Sequence, residues 1–135
     1  QNSLYGGAGD DTLTYNAANK TMNGGTGDDT LVINGADSLN LATATNLNSI
    51  ETINIKNDEE NTLTLTADDV FDLSDNGTIF VQGDVSGMDT LNISGFQNIS
   101  TAEIEGISYQ QFQTADGDST LLVNLGVTVN TDIIT

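Results

Sequence analysis

The sequence predicts an all-β protein: a short parallel roll that continues into a β-solenoid or a sandwich-like cap, with one short helix. Three observations predict it. A glycine-aspartate turn occurs twice, as Gly6-Gly7-Ala8-Gly9-Asp10-Asp11-Thr12-Leu13 and as Gly24-Gly25-Thr26-Gly27-Asp28-Asp29-Thr30-Leu31, eighteen residues apart. Leu4, Leu13, Met22 and Leu31 fall at strict nine-residue steps, so two nonapeptides make one coil and residues a coil apart stack. From Leu39 onward, apolar pairs separated by one residue recur, at Leu39/Leu41, Ile53/Ile55, Leu63/Leu65, Ile79/Val81, Leu91/Ile93 and Val127/Val129. Period two is the signature of strands with one buried face.

The turns come first. Glycines adopt positive φ and curl the chain tightly, which aims backbone carbonyls inward, and aspartate adds a hard carboxylate oxygen. Both copies fit the pattern GGxGxDxUx, with U a large apolar residue that begins a short strand. In this the block over residues 1–35 resembles RTX proteins, whose repeat is a calcium-binding parallel β-roll. The resemblance implies metal ligands from Gly6, Ala8, Gly9 and Asp11 in the first turn and from Gly24, Thr26, Gly27 and Asp29 in the second. Asp10 and Asp28 lie beside them and raise the local negative charge. Calcium accepts about 6–8 oxygen ligands in mixed carbonyl and carboxylate shells. Asp11 and Asp29, stacked at about the 4.8 Å strand spacing, are expected to face each other across one ion.

The intervening nonapeptide, Tyr15 to Asn23, keeps its apolar slot at Met22 but has lost its glycines and carries Lys20 in the aspartate position. A cation cannot ligate calcium, so one edge of the roll is expected to be loaded and the opposite edge metal-free. Gln1 to Tyr5 fits the end of a preceding nonapeptide with Asn2 in the aspartate slot, which reads as a fragment with further repeats upstream.

Residues 36–135 are expected to form a β-rich domain that covers the open end of the roll, because an exposed strand edge invites pairing with other chains. The apolar pairs are spaced irregularly, by 14, 10, 16 and 12 residues between Leu39 and Leu91, which predicts a solenoid with loops or a sandwich. Thr66-Ala67-Asp68-Asp69 offers a capping threonine followed by acids, the start of a short helix with Val70, Phe71 and Leu73 inward. A second helix is sketched around Leu41 to Leu47. Ala102 to Gln113 reads as a hairpin turning at Glu105-Gly106, and Ser119 to Leu125 as a strand after the Asp116-Gly117-Asp118 turn.

Other acid-rich turns are weaker metal candidates. Gly83 to Leu91 echoes the repeat and offers Asp84 and Asp89 to calcium. Asn57 to Leu63, and Asp68, Asp72 and Asp75, read more simply as solvated acids. The distal-glutamate pattern of an EF-hand is missing, and without His or Cys zinc is not expected.

Composition narrows the function. Twenty acids against two basic residues give a net charge of −18. No basic patch can be built for nucleic acid or an anionic membrane surface, and such repulsion opposes compaction until cations neutralise it. No cysteine is present, so no disulfide contributes. No apolar run is long enough to insert in a membrane. Neither HExxH nor GxSxG occurs, and the chain has no histidine, so no enzymatic activity and no catalytic residue are expected. Glu59/Glu60 and Asp68/Asp69 are adjacent acids with no cleft implied between them.

The segments Ser49 to Ile55, Asn61 to Asp75 and Thr120 to Asn130 resemble a module near the C-terminal end of giant bacterial RTX adhesins. That resemblance implies a Gram-negative protein exported by type I secretion machinery, unfolded and C-terminus first, which folds at the cell surface where calcium is abundant. Its partners would be calcium, adjacent adhesin domains and the secretion apparatus. The alternatives are a module that grips an extracellular peptide or glycan, and the C-terminal RTX part of a secreted hydrolase. Ice binding is not expected, because no repeat sets the threonines of the Thr62/Thr64/Thr66 line against matching threonines on successive coils.

Overall fold

The computed structural model describes residues 3–15, 21–33, 38–40, 47–55, 61–66, 73, 77–83, 89–115, 117 and 119–131. The glycine turns and the apolar residue after them fix the first two coils. Strands β1 (Ser3–Tyr5) and β2 (Thr12–Thr14) form one coil, β3 (Thr21–Asn23) and β4 (Thr30–Val32) the next. They pair in parallel, Leu4 on Met22 and Leu13 on Leu31. The nine-residue step therefore alternates between two faces of the coil, and all four U residues point inward, with Met22 and Leu31 fully buried.

The same winding continues beyond the repeats. The third coil carries β5 (Ser38–Asn40), β6 (Leu47–Asn48) and β7 (Thr52–Asn54), and the fourth β8 (Thr62–Thr66) and β9 (Thr78–Gln82). The fifth carries β10 (Thr90–Ser94), a hairpin of β11 (Gln97–Ile104) and β12 (Ile107–Gln113), and β13 (Thr120–Asn124); β14 (Thr128–Thr131) follows. Three sheets result, in the orders β1-β3-β6, β14-β10-β8-β5 and β11-β12-β13-β9-β7-β4-β2. Every described pairing is parallel except β11–β12 and β12–β13, which decides for a parallel solenoid over a sandwich. Along the seven-stranded sheet Thr12 pairs with Thr30, Thr30 with Thr52, Ile53 with Val81 and Ile79 with Leu121.

One core runs through all the coils, from Leu13 to Val127. Period two is realised in β8, β9 and β10, each of which buries two apolar residues and turns Thr, Asn, Phe, Gln or Ser outward. Each fully buried Leu or Ile contributes roughly 1.5–3 kcal/mol from removal of apolar area from water. The hairpin turns where the sequence places it: Glu105 and Gly106 both have positive φ, 54° and 82°, the pattern of a two-residue type I′ turn. Tyr109 and Phe112 of β12 are buried, and Tyr109 packs edge-on against Phe80 with ring centroids 5.4 Å apart.

Two expectations change. Leu47, the last residue of the expected second helix, enters a strand, β6, and pairs with Met22 of β3; residues 41–46 lie outside the described residues. Threonines do stack on successive coils, as Thr12–Thr30–Thr52 and as Thr62–Thr90–Thr128, but in the Thr62/Thr64/Thr66 line Thr64 pairs with Asn40 and Asn92, and Thr66 with Ser94. Unequal coil lengths hide this stacking from any fixed sequence period. The expected helix after Thr66 falls on residues outside the description except Leu73, which is buried and whose carbonyl accepts the Ile50 N–H at 3.0 Å. Lys20 and the Asn34 to Asp37 turn also lie outside the described residues.

Candidate metal centre

The two glycine turns connect β1 to β2 and β3 to β4, and they stack directly. Gly6 N–H donates to the Asn23 carbonyl at 2.8 Å, Thr26 N–H to Gly7 O at 3.0 Å and Gly9 N–H to Thr26 O at 2.9 Å. Ala8 and Thr26 form a parallel bridge. The stacking leaves no space for a side chain at Gly25: its φ is 94°, and a Cβ there would strike the Gly7 backbone. Gly7 shares the positive φ, yet a Cβ there meets nothing.

Within this frame the paired aspartates separate into two functions. Asp29 is completely buried, and its Oδ1 accepts the Asp11 N–H at 2.8 Å. Asp10 and Asp28 are exposed, and Asp10 Oδ1 accepts the Asp28 N–H at 2.9 Å. The inner carboxylate thus reaches back one coil and the outer one reaches forward. The structure aims Asp29 at the Asp11 amide, where the sequence alone suggested two carboxylates facing each other.

Asp11 Oδ2 is buried and has no hydrogen-bond partner among the described residues. It lies against bare Gly6: a Cβ built there would come within 2.7 Å of Asp11 Oδ2 and 2.5 Å of the Gly24 carbonyl oxygen. A carboxylate oxygen of one coil and a carbonyl oxygen of the next therefore both lie close to Gly6. This all-oxygen donor set fits a hard divalent cation such as calcium. Among the described residues no three acidic side chains gather into a metal cluster, so backbone carbonyls would supply most of a shell there. Both lysines lie outside the described residues.

The inward carboxylate recurs where the motif does not. Glu51 is 2% exposed, and its Oε2 accepts the Asp29 N–H at 2.9 Å. Just before β10 and β8, the inner strands of the four-stranded sheet, buried Asp89 accepts the Asn61 N–H through Oδ1 at 3.0 Å. Asp89 thus holds a backbone amide of the neighbouring coil, while Asp84, its suggested companion, lies outside the described residues, as do residues 57–60 and Asp68, Asp72 and Asp75. Sequence reasoning missed Glu51. The signal that finds it is a polar residue, then Thr, then Leu or Ile: Asp11-Thr12-Leu13, Asp29-Thr30-Leu31, Glu51-Thr52-Ile53, Asn61-Thr62-Leu63 and Asp89-Thr90-Leu91.

No protein-family model, curated protein or solved structure matches the chain. No helix among the described residues is long and apolar enough to cross a membrane.

Proposed function

We propose that this chain is a calcium-binding structural module of a secreted bacterial RTX adhesin, one that folds on calcium outside the cell after type I secretion. The observation that carries the reading is the buried Asp11 Oδ2, which has no hydrogen-bond partner among the described residues and lies, like the Gly24 carbonyl, beside Gly6 where two glycine turns stack in register. The net charge of −18 supports it, because an acidic chain compacts when cations neutralise it.

Asp11 and Asp29 would hold the ion together with carbonyls of the turn residues Gly6, Ala8, Gly9, Gly24, Thr26 and Gly27. Bound calcium would supply positive charge among the acids. The chain's own part is to fix the donors. The positive-φ glycines set the carbonyl directions, and the Asp29–amide bond locks one turn on the next. Without the ion, acids stacked coil on coil repel one another; with it, binding free energy becomes folding free energy.

Calcium added to chelator-stripped protein is expected to bring a cooperative gain of β-structure in far-UV circular dichroism, with magnesium ineffective. Changing Asp11 and Asp29 to Ala should abolish the response. A stripped protein already fully folded, with spectrum and melting indifferent to calcium, would sink the reading.

A second reading has its own observation. The ends of β8 and β10, with Asn130 of β14, hold an open cavity of about 210 Å³, lined by Thr64, Leu65, Thr66, Asn92, Ile93, Ser94 and Asn130, none of them charged. An uncharged face on so acidic a chain favours a neutral ligand, a peptide or a glycan. Ligand screening in calcium, with Asn92→Leu as the control, separates the two readings.

A further inference from the structure

One coil beyond the second glycine turn, the chain makes the same reversal with different residues. Six residues join β1 to β2 and β3 to β4, but only Ser49, Ile50 and Glu51 join β6 to β7. Ser49 takes the left-handed conformation, with φ of 54°, which a non-glycine residue adopts at a cost in free energy. The turn is shorter, and its inward acid is a glutamate, one methylene longer than the aspartates it follows.

Glu51 and its neighbour hold Asp29 at both ends of its backbone. The side chain accepts the Asp29 N–H at 2.9 Å, and the Glu51 and Thr52 amides both donate to the Asp29 carbonyl at 3.0 Å. Asp29 in turn holds the Asp11 amide through its own carboxylate. The chain of contacts runs from coil three into both turns of the candidate metal centre.

We infer that Glu51 is a positioning residue for that centre. It fixes Asp29 so that the carboxylate is set before an ion arrives, and it does not touch the ion itself. The inference rests on the calcium reading above. Its physical basis is that outer hydrogen bonds which orient a ligand change metal affinity by roughly 10–100-fold, because a ligand ordered in advance does not lose that freedom on binding.

The test uses the full chain and calcium alone, with two conservative variants that separate reach from charge. Glu51→Gln keeps an oxygen that reaches the Asp29 amide and loses the charge. Glu51→Asp keeps the charge and is one methylene too short. The expected result is crossed. The Asp variant binds calcium about tenfold more weakly and exchanges its Asp29 and Asp11 amide hydrogens faster in chelator, while the Gln variant stays close to wild type in both. The reverse pattern, with affinity lost in Gln and kept in Asp, means that the ion senses the charge directly and overturns the positioning role. Equal calcium affinity in all three proteins overturns it too. A wild type that takes up no calcium removes the calcium reading and this role together, and is distinguished from the other failures by that alone.

Discussion

The first two coils and the last two are one winding held together in different proportions. In β2, β3 and β4 each three-residue strand buries a single apolar side chain, whereas the five-residue strands β8, β9 and β10 each bury two. The early coils close through backbone contacts between glycines and through carboxylates that grip amides. The later coils keep one such carboxylate grip, Asp89 on the Asn61 amide, and add more apolar area. Burial of Leu and Ile stabilises a coil without any ion, so the later coils are expected to depend less on one. The early coils gather like charges in return for little core. On the calcium reading, the difference places the expected ion dependence in the part with the thinnest core and the most crowded acids.

The largest effects should come from the thick core. Ile79→Ala removes a fully buried side chain from the seven-stranded sheet and should destabilise the whole chain by about 2–5 kcal/mol, read by urea unfolding. Leu13→Ala, at the edge strand, should loosen the early coils alone, because a region can open locally at no more than its own stability. An equal shift of the global urea midpoint by both variants would break the comparison.

Next comes the backbone packing of the early coils. Gly25→Ala places a Cβ against Gly7 at positive φ; the conformation alone costs roughly 1–2 kcal/mol, and the collision adds to it. Gly7→Ala meets only the conformational cost, since its Cβ points into open space. The calcium-dependent gain of circular dichroism should therefore be lost in the Gly25 variant and merely weakened in the Gly7 variant. Equal behaviour of the two would show that stacking contact between the turns is not what holds them.

The smallest effect lies in the hairpin, at the opposite end of the seven-stranded sheet from β2. Glu105 occupies a left-handed position with φ of 54°, which Asn accepts more readily in a type I′ turn. Glu105→Asn should raise the melting temperature slightly and equally with and without calcium. A rise confined to one condition would tie the hairpin to the early coils and blur the distinction.

Much of this was legible in the residues. The eighteen-residue repeat placed Leu4 on Met22 and Leu13 on Leu31, because coils of equal length stack residues at a constant interval. The hairpin was legible from Glu105-Gly106, since turn chemistry is local. The stacked threonines were not, because the interval between partners grows from 18 in the first coils to 22 and then 28, and a lengthening coil has no fixed period. Glu51 was not singled out because its function depends on which amide lies above it. Asp89 was singled out as an acid near a glycine, and the fold gives its carboxylate the Asn61 amide.

The sequence by itself determined the all-β class, the apolar face of each strand, the two stacked glycine turns and the extreme negative charge. These follow from periodicity, conformational restriction and composition, which are properties of neighbours along the chain. Only the tertiary structure decided that the winding continues through the longer coils, that Asp29 faces the Asp11 amide, and that Glu51 reaches Asp29 across 22 residues. Those contacts depend on how far each coil travels before it returns, a distance set by packing across the core and written in no single segment.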